Sequence, residues 1–328
     1  MRAYRLFTIP LIWSIVVSLI SAMPQTAPLD TAKQAFEKGE YAKAIELLKA
    51  TESKDPQSGD VQLLLTKSYL ALDQYDAAVS SGEKAVAINP KNSEYHQWLG
   101  EAYGAKADHV SMFSAYPLAR KTQKEFETAV QLDEKNFDAA QDLVEYDCTA
   151  PGVVGGGEDK AQPIIQKLMT LDLAQGHYAA GNCRAAKKDY ATADADFAKA
   201  LESKPKSAEL IYNIGDYFSQ RRQADKLITV ADVGEAAAPA DSRAKFYRAQ
   251  AFILKSENLP DAEKLLREYL RVAPPKSNYP KPWQVHYWLG QMFEKQKNVP
   301  AARSEYEAAL KLNSKYKLAQ EALKKLGK

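Results

Sequence analysis

Residues 41–56 read YAKAIELLKATESKDP and residues 75–90 read YDAAVSSGEKAVAINP. Tyr41, Ala44 and Pro56 of the first stretch return as Tyr75, Ala78 and Pro90, each 34 residues later. Repetition at a fixed period of this size marks a chain in which one supersecondary unit is copied and stacked. Further along, Tyr190, Ala193, Ala200 and Pro205 open a copy whose spacing reaches Pro239, and Ala302 and Ala309 hold the same places near the C-terminus. Each unit is expected to be a pair of antiparallel helices. Helices that cross closely need small side chains at the contact, the place of Ala44, Ala78, Ala193 and Ala302, with Leu99-Gly100 and Leu289-Gly290 in that part on the first helix. Tyr69, Tyr103, Phe218 and Phe293 lie three positions beyond the small-residue site and fill the space between neighbouring hairpins. The proline ends the second helix, because it cannot donate into a helix interior and disfavours helical geometry before it.

The order aromatic, Leu-Gly, Tyr, Gly-x-Tyr, Ala, Ala and Pro resembles the unit of the tetratricopeptide repeat family. The resemblance implies an all-α, right-handed α-solenoid of about eight helical hairpins with a C-terminal capping helix. Units near 31–56, 59–90, 174–205 and 283–314 match well, those at 208–239 and 242–274 diverge, and those at 93–135 and 137–173 are irregular. The cap is placed at 316–328, where Lys317, Gln320, Glu321, Lys324 and Lys325 give the polar side that an open repeat end needs.

The sequence has 328 residues and 15 Gly, enough chain for a sizeable core and too few glycines to favour a sandwich or doubly wound sheet. Residues 1–22 read as a secretory signal peptide: Met1-Arg2-Ala3-Tyr4-Arg5, an apolar run from Leu6 to Ile20, then Ser21-Ala22. An uncleaved anchor is the rival, for which the run is short and holds Pro10. Cleavage after Ala22 makes residues 23–328 an exported domain, periplasmic or secreted, with no stable membrane span. No Cys follows the apolar run to accept a lipid. Loss of Arg2 and Arg5 leaves basic and acidic residues equal in number, so the chain lacks the electrostatic footprint of nucleic-acid binding.

Two breaks in the repeat stand back to back. The third unit carries an insertion at 106–117, rich in Met112, Phe113 and Tyr116, which either packs down on the core or touches a partner. The fourth replaces its tight turn with a glycine-rich loop, Ala150-Pro151-Gly152-Val153-Val154-Gly155-Gly156-Gly157. A phosphate cradle would need Gly-Lys-Ser/Thr or a preceding strand, and Glu158 and Asp159 already occupy the positive helix end. Tyr103 to Ala107 and Ala150 to Gly156 also resemble segments of a group of bacterial exported tetratricopeptide proteins, a likeness that implies compartment and fold.

Catalytic constellations are not evident. His96, His177 and His286 fall on one repeat position in different units, which a solenoid spreads along its length, and His109 stands alone in the insertion. No ligand pair of the His-x-x-x-His kind supports a metal, and no cofactor motif is present. Cys148 and Cys183 lie late in first helices of successive units and either form a disulfide or act as two small apolar residues.

The architecture points to binding, since stacked hairpins line a concave groove with residues of their first helices. Family geometry puts Gln97, Trp98 and Glu101, then Tyr178 and Asn182, then Tyr212, Asn213 and Asp216, then Arg243, Phe246 and Tyr247, and finally Tyr287, Trp288 and Gln291 on that groove. Some family members hold a C-terminal carboxylate with Lys-Asn, Asn and Lys-Arg across three units. Asn182, Asn213 and Arg243 match three of those places, while Tyr178 and Tyr247 stand where a basic residue belongs. The expectation is a non-enzymatic scaffold or adaptor that binds an extended peptide or a partner helix. The alternative is an envelope carbohydrate or lipid-assembly component that uses the 106–117 insertion.

Overall fold

The protein is described by a computed structural model covering residues 28–276 and 278–327. The signal peptide expected at 1–22 lies outside the described residues. The helices pair as α1 (Pro28–Glu37) with α2 (Tyr41–Glu52), α3 (Gly59–Leu70) with α4 (Tyr75–Ile88), α5 (Ser93–Ala107) with α6 (Met112–Leu132), and α7 (Phe137–Thr149) with α8 (Glu158–Leu171). They continue as α9 (Leu173–Ala186) with α10 (Tyr190–Glu202), α11 (Ala208–Gln220) with α12 (Ala224–Ala237), α13 (Arg243–Lys255) with α14 (Leu259–Val272), and α15 (Pro282–Lys295) with α16 (Val299–Leu312). Helix α17 (Lys317–Leu326) closes the stack, burying Ala319 and Ala322 and turning its Lys, Gln and Glu side chains to water. Eight hairpins and a cap therefore make up the described residues. First helices of successive hairpins touch one another from α1 and α3 through to α13 and α15, which makes them the inner wall of a solenoid.

Close crossing explains the small residues. Ala44, Ala78, Ala193 and Ala302 are sealed from solvent, and a Cβ on Gly290 would stand 2.4 Å from the Tyr306 ring. Six of the hairpins turn through the left-handed region, at Gly39, Asp73, Lys188, Arg222, Lys297 and, in the seventh unit, both Ser256 and Asn258. Glycine pays nothing there, whereas each of the others costs on the order of 1 kcal/mol.

The third and fourth units lack that turn. In the third, α6 runs for 21 residues and takes up the insertion as its own N-terminal turns. Those turns do not extend the core: Met112 is 85% and Phe113 92% exposed. In the fourth, a short 3-10 turn at Gly152–Val154 leads to Gly155, whose φ of 108° and closeness to Gln123 exclude a side chain. The buried Gln123 of α6 donates to the Gly155 carbonyl at 2.9 Å and to Asp147 at 3.1 Å. The Tyr146 hydroxyl lies 2.8 Å from the Ala119 carbonyl on α6 and 2.9 Å from that of Val154 in the loop. The two breaks adjoin because the lengthened α6 and the glycine-rich loop brace each other. Cys148 and Cys183 are joined in a disulfide that ties α7 to α9.

Candidate binding groove

The inner wall carries fewer aromatic faces than the sequence predicts. Tyr212, Phe246, Tyr247, Tyr287 and Trp288 are buried, and Tyr212 and Tyr247 stack with ring centroids 5.5 Å apart. Their assignment to the groove surface is corrected: their bulk fills the seams between hairpins. Glycines opposite leave the room, since a Cβ on Gly234 would meet the Tyr212 hydroxyl at 2.5 Å and one on Gly215 the Tyr247 ring at 2.9 Å.

Arg243 is also withdrawn from the groove. It is buried, paired with Asp241 at 2.8 Å and Glu209 at 3.0 Å, and held between the rings of Tyr212 and Tyr279. A guanidinium so engaged has no fork left for a ligand carboxylate, which removes the remaining basic member of the carboxylate-holding set. Gln97 is buried too, donating to Asp142 at 2.8 Å, and Gln291 donates to the Tyr306 hydroxyl at 2.7 Å.

Trp98, Glu101, Tyr178, Asn182, Asn213 and Asp216 remain accessible. Trp98 carries the Lys67 ammonium over its ring at 4.6 Å. Asn182 and Asn213, from the fifth and sixth units, flank Tyr178; burial raises the pKa of its hydroxyl and the two amides lower it. Met112, Phe113 and Tyr116 stand exposed at the start of α6.

Between these residues lies an acidic wall that the sequence reading missed. Asp138, Asp142 and Glu145 of α7 face Glu101 and Glu94 of α5, the latter paired with Lys67 at 2.7 Å, and Glu209 of α11 acts on Asp138. Burial, then the neighbouring Glu101 carboxylate, pushes Asp142 up to about 8. Burial raises Glu101 as well, and the nearness of the two carboxyls disfavours both being ionised at once. Asp138 and Asp216 keep contact with solvent, yet desolvation by the neighbouring helices and then Glu209 raise both, the Tyr247 hydrogen bond opposing the rise at Asp216. The α7 carboxylates could have been found from the repeat register: the unit puts Val144 where other units have Gly100, Gly215 and Gly290, and that frame sets Asp138, Asp142 and Glu145 on the inner face.

Where the two breaks meet, α5, α6, α7 and the glycine-rich loop line a cavity of about 560 Å³. Its floor includes Glu101, Asp108, Asp142 and Glu145, and its walls are small or apolar, among them Gly104, Ala105, Ala115, Ala119 and Phe126.

Elsewhere, three histidines act within their own hairpins. His96 faces Glu125 at 2.5 Å, His286 faces Glu305 at 2.6 Å, and His177 faces Asp196 at 3.7 Å, each carboxylate coming from the second helix. Among the described residues no group of three His, Cys, Asp or Glu could hold a metal ion. No helix of the described residues is long and apolar enough to cross a membrane. Glu158, at the start of α8, is paired with Arg184 at 3.3 Å and with Lys187, so the helix end after the glycine-rich loop is already met by a side chain.

Comparison with known proteins gives a consistent fold. Tetratricopeptide repeat profiles match residues 35–101, 174–207 and 254–317. TTC0263, a thermophilic tetratricopeptide protein of Thermus thermophilus, is similar at 21% identity over 58% of this chain and 96% of its own, with a TM-score of 0.47. A tetratricopeptide repeat protein of Parabacteroides merdae aligns at 12% identity over 92% of this chain and 98% of its own, with a TM-score of 0.43. IFIT1, a human protein solved with m7Gppp-AAAA, aligns as a monomeric mutant at 16% identity over 90% of this chain and 71% of its own, with a TM-score of 0.50. A search of curated proteins returns no match. These likenesses speak to fold alone.

Proposed function

We propose that this chain, which belongs to the tetratricopeptide repeat family, is a protein-interaction scaffold that holds an extended peptide along its inner wall, outside the cytoplasm. The convergence of Asn182 and Asn213 on Tyr178 carries the reading. Amides from successive units, set on one concave surface, suit the donors and acceptors of an extended backbone, with Trp98 providing an apolar face. The Cys148–Cys183 bridge supports an oxidising compartment, as does the leader read at residues 1–22.

An RNA ligand of the kind bound by IFIT1 fits this groove poorly, because Glu101, Asp138, Asp142 and Glu145 oppose phosphate. A lipid tail is disfavoured in the cavity beside the insertion for a related reason, since four carboxylates line it.

Panning a displayed library of random 12-residue peptides against the purified protein tests the proposal. Selected peptides should lose at least tenfold in affinity for Asn182→Ala/Asn213→Ala, with the thermal melt unchanged. Equal binding to that variant would move the site off the groove, and failure to select any peptide would end the peptide reading.

A further inference from the structure

We infer that the groove partner is cationic, and that the cavity between α5, α6 and α7 receives a lysine or arginine side chain of the bound peptide. The inference rests on the groove reading above and names the chemistry of its ligand. The charged groups nearest Glu101 and Asp142 are each other, Asp138 and Glu145, and the cavity lining contains no Lys, Arg or His. Several carboxylates elsewhere have a cation in place: Asp241 and Glu209 share Arg243, Asp194 has Arg221 at 3.3 Å, and Glu158 has Arg184 and Lys187. The cavity is where negative charge is gathered without a matching group from the chain itself.

Shape agrees with charge. Gly104, Ala105, Ala115 and Ala119 keep the walls low, and about 560 Å³ accommodates a guanidinium or ammonium on its aliphatic stem with accompanying water. A long cationic side chain buries its stem against apolar atoms and presents its head to carboxylates. Met112 is exposed on α6 one turn before Ala115 and two before Ala119, both of which line the cavity, a place from which it can cover an apolar neighbour of the cationic residue. Glu101, Asp142 and Glu145 belong both to the cavity lining and to the acidic wall of the groove, so a peptide lying along the groove is expected to pass the cavity. Insertion and glycine-rich loop thus acquire a common purpose: together they wall a charge-selective pocket that a regular pair of hairpins would lack.

The test uses the peptides selected by panning. Their sequences should be enriched in Arg or Lys, and fluorescence polarisation should show at least a tenfold weaker complex when one Arg is replaced by citrulline, its neutral isostere. Asp142→Asn/Glu145→Gln should weaken the Arg peptide at least tenfold and leave the citrulline peptide unchanged. That variant removes facing charges, so its melt should stay level or rise. Peptides that need Asn182 and Asn213 yet show no Arg or Lys enrichment, or bind equally well with citrulline, would overturn the cationic inference and leave the groove standing. Recovery of no peptide at all would overturn both.

Discussion

The Cys148–Cys183 bridge offers a quantitative test of how the stack holds together. The two residues are 35 apart in sequence, and closing a loop of that size in the unfolded chain removes entropy worth about 4 kcal/mol. Were the whole solenoid to unfold as one unit, its unfolding entropy of about 0.6 kcal/mol per kelvin would turn that into a fall in Tm of about 6 °C on reduction. A repeat stack distributes stability between neighbours, so the loss should instead concentrate in the hairpins that the bridge joins. Hydrogen exchange on oxidised and reduced protein separates the two cases. Amides of α7 to α10 should exchange up to about a thousandfold faster after reduction, with α15 to α17 unchanged. Cys148→Ala/Cys183→Ala should behave like reduced protein, apart from about 1 kcal/mol for the methyl-sized gap near the buried Cys183. Two titratable thiols in denatured, unreduced protein would refute the bridge itself. Uniform acceleration from α1 to α17 would refute the local account.

Other substitutions probe the packing and the charges. Gly290→Val should destabilise by about 3 kcal/mol in urea titration, because its Cβ would press on the Tyr306 ring; a loss below 1 kcal/mol would contradict the close crossing. Lys188→Gly should stabilise by about 0.5 kcal/mol, since Lys188 sits at a φ of 63°; a lower urea midpoint would count against strain at the turn. Arg243→Met should cost about 3–5 kcal/mol, because it strands Asp241 without its partner, and Arg243→Met/Asp241→Asn should recover part; equal losses would show that packing rather than charge is at stake. Asp142 has a folded pKa raised to about 8, so the native state holds a proton that the unfolded chain has shed. Its stabilising contribution is present below pH 4 and is lost as pH rises toward 8. Asp142→Asn should therefore flatten the decline in Tm between about pH 5 and 8, and an unaltered slope would refute the buried-pair assignment.

The sequence makes the hairpins legible because close crossing leaves few options at the small positions, and Ala44, Ala78, Ala193 and Ala302 all lie where the period sets them. His96, His177 and His286 likewise fall on one position, and each meets a carboxylate of its own second helix, a pairing hidden until both helices are placed. The groove was less readable. An aromatic ring on the first helix can face either the wall or the seam, and its direction depends on whether a glycine across the seam leaves room. Gly234 does so for Tyr212 and Gly215 for Tyr247, and those glycines lie 22 and 32 residues from the rings that cover them. In the fourth unit Val144 replaces the marker glycine, which obscured the frame and with it the three carboxylates of α7.

Stability and recognition pull in opposite directions at the third and fourth units. Facing Glu101 with Asp142 in a partly buried site costs free energy that apolar residues would not, and a continuous hairpin turn would be simpler than a 3-10 turn braced by Gln123 and Tyr146. In a globular core such a cost would weigh on the whole domain. A solenoid confines it to adjacent hairpins, and here the bridge from Cys148 to Cys183 anchors the fourth unit, whose α7 lines the acidic cavity, to the regular fifth unit on its other side. A cation entering the cavity would relieve the carboxylate repulsion, so ligand binding and local stability should rise together. The arrangement thus accounts for why the disulfide lies beside the breaks rather than between two regular units.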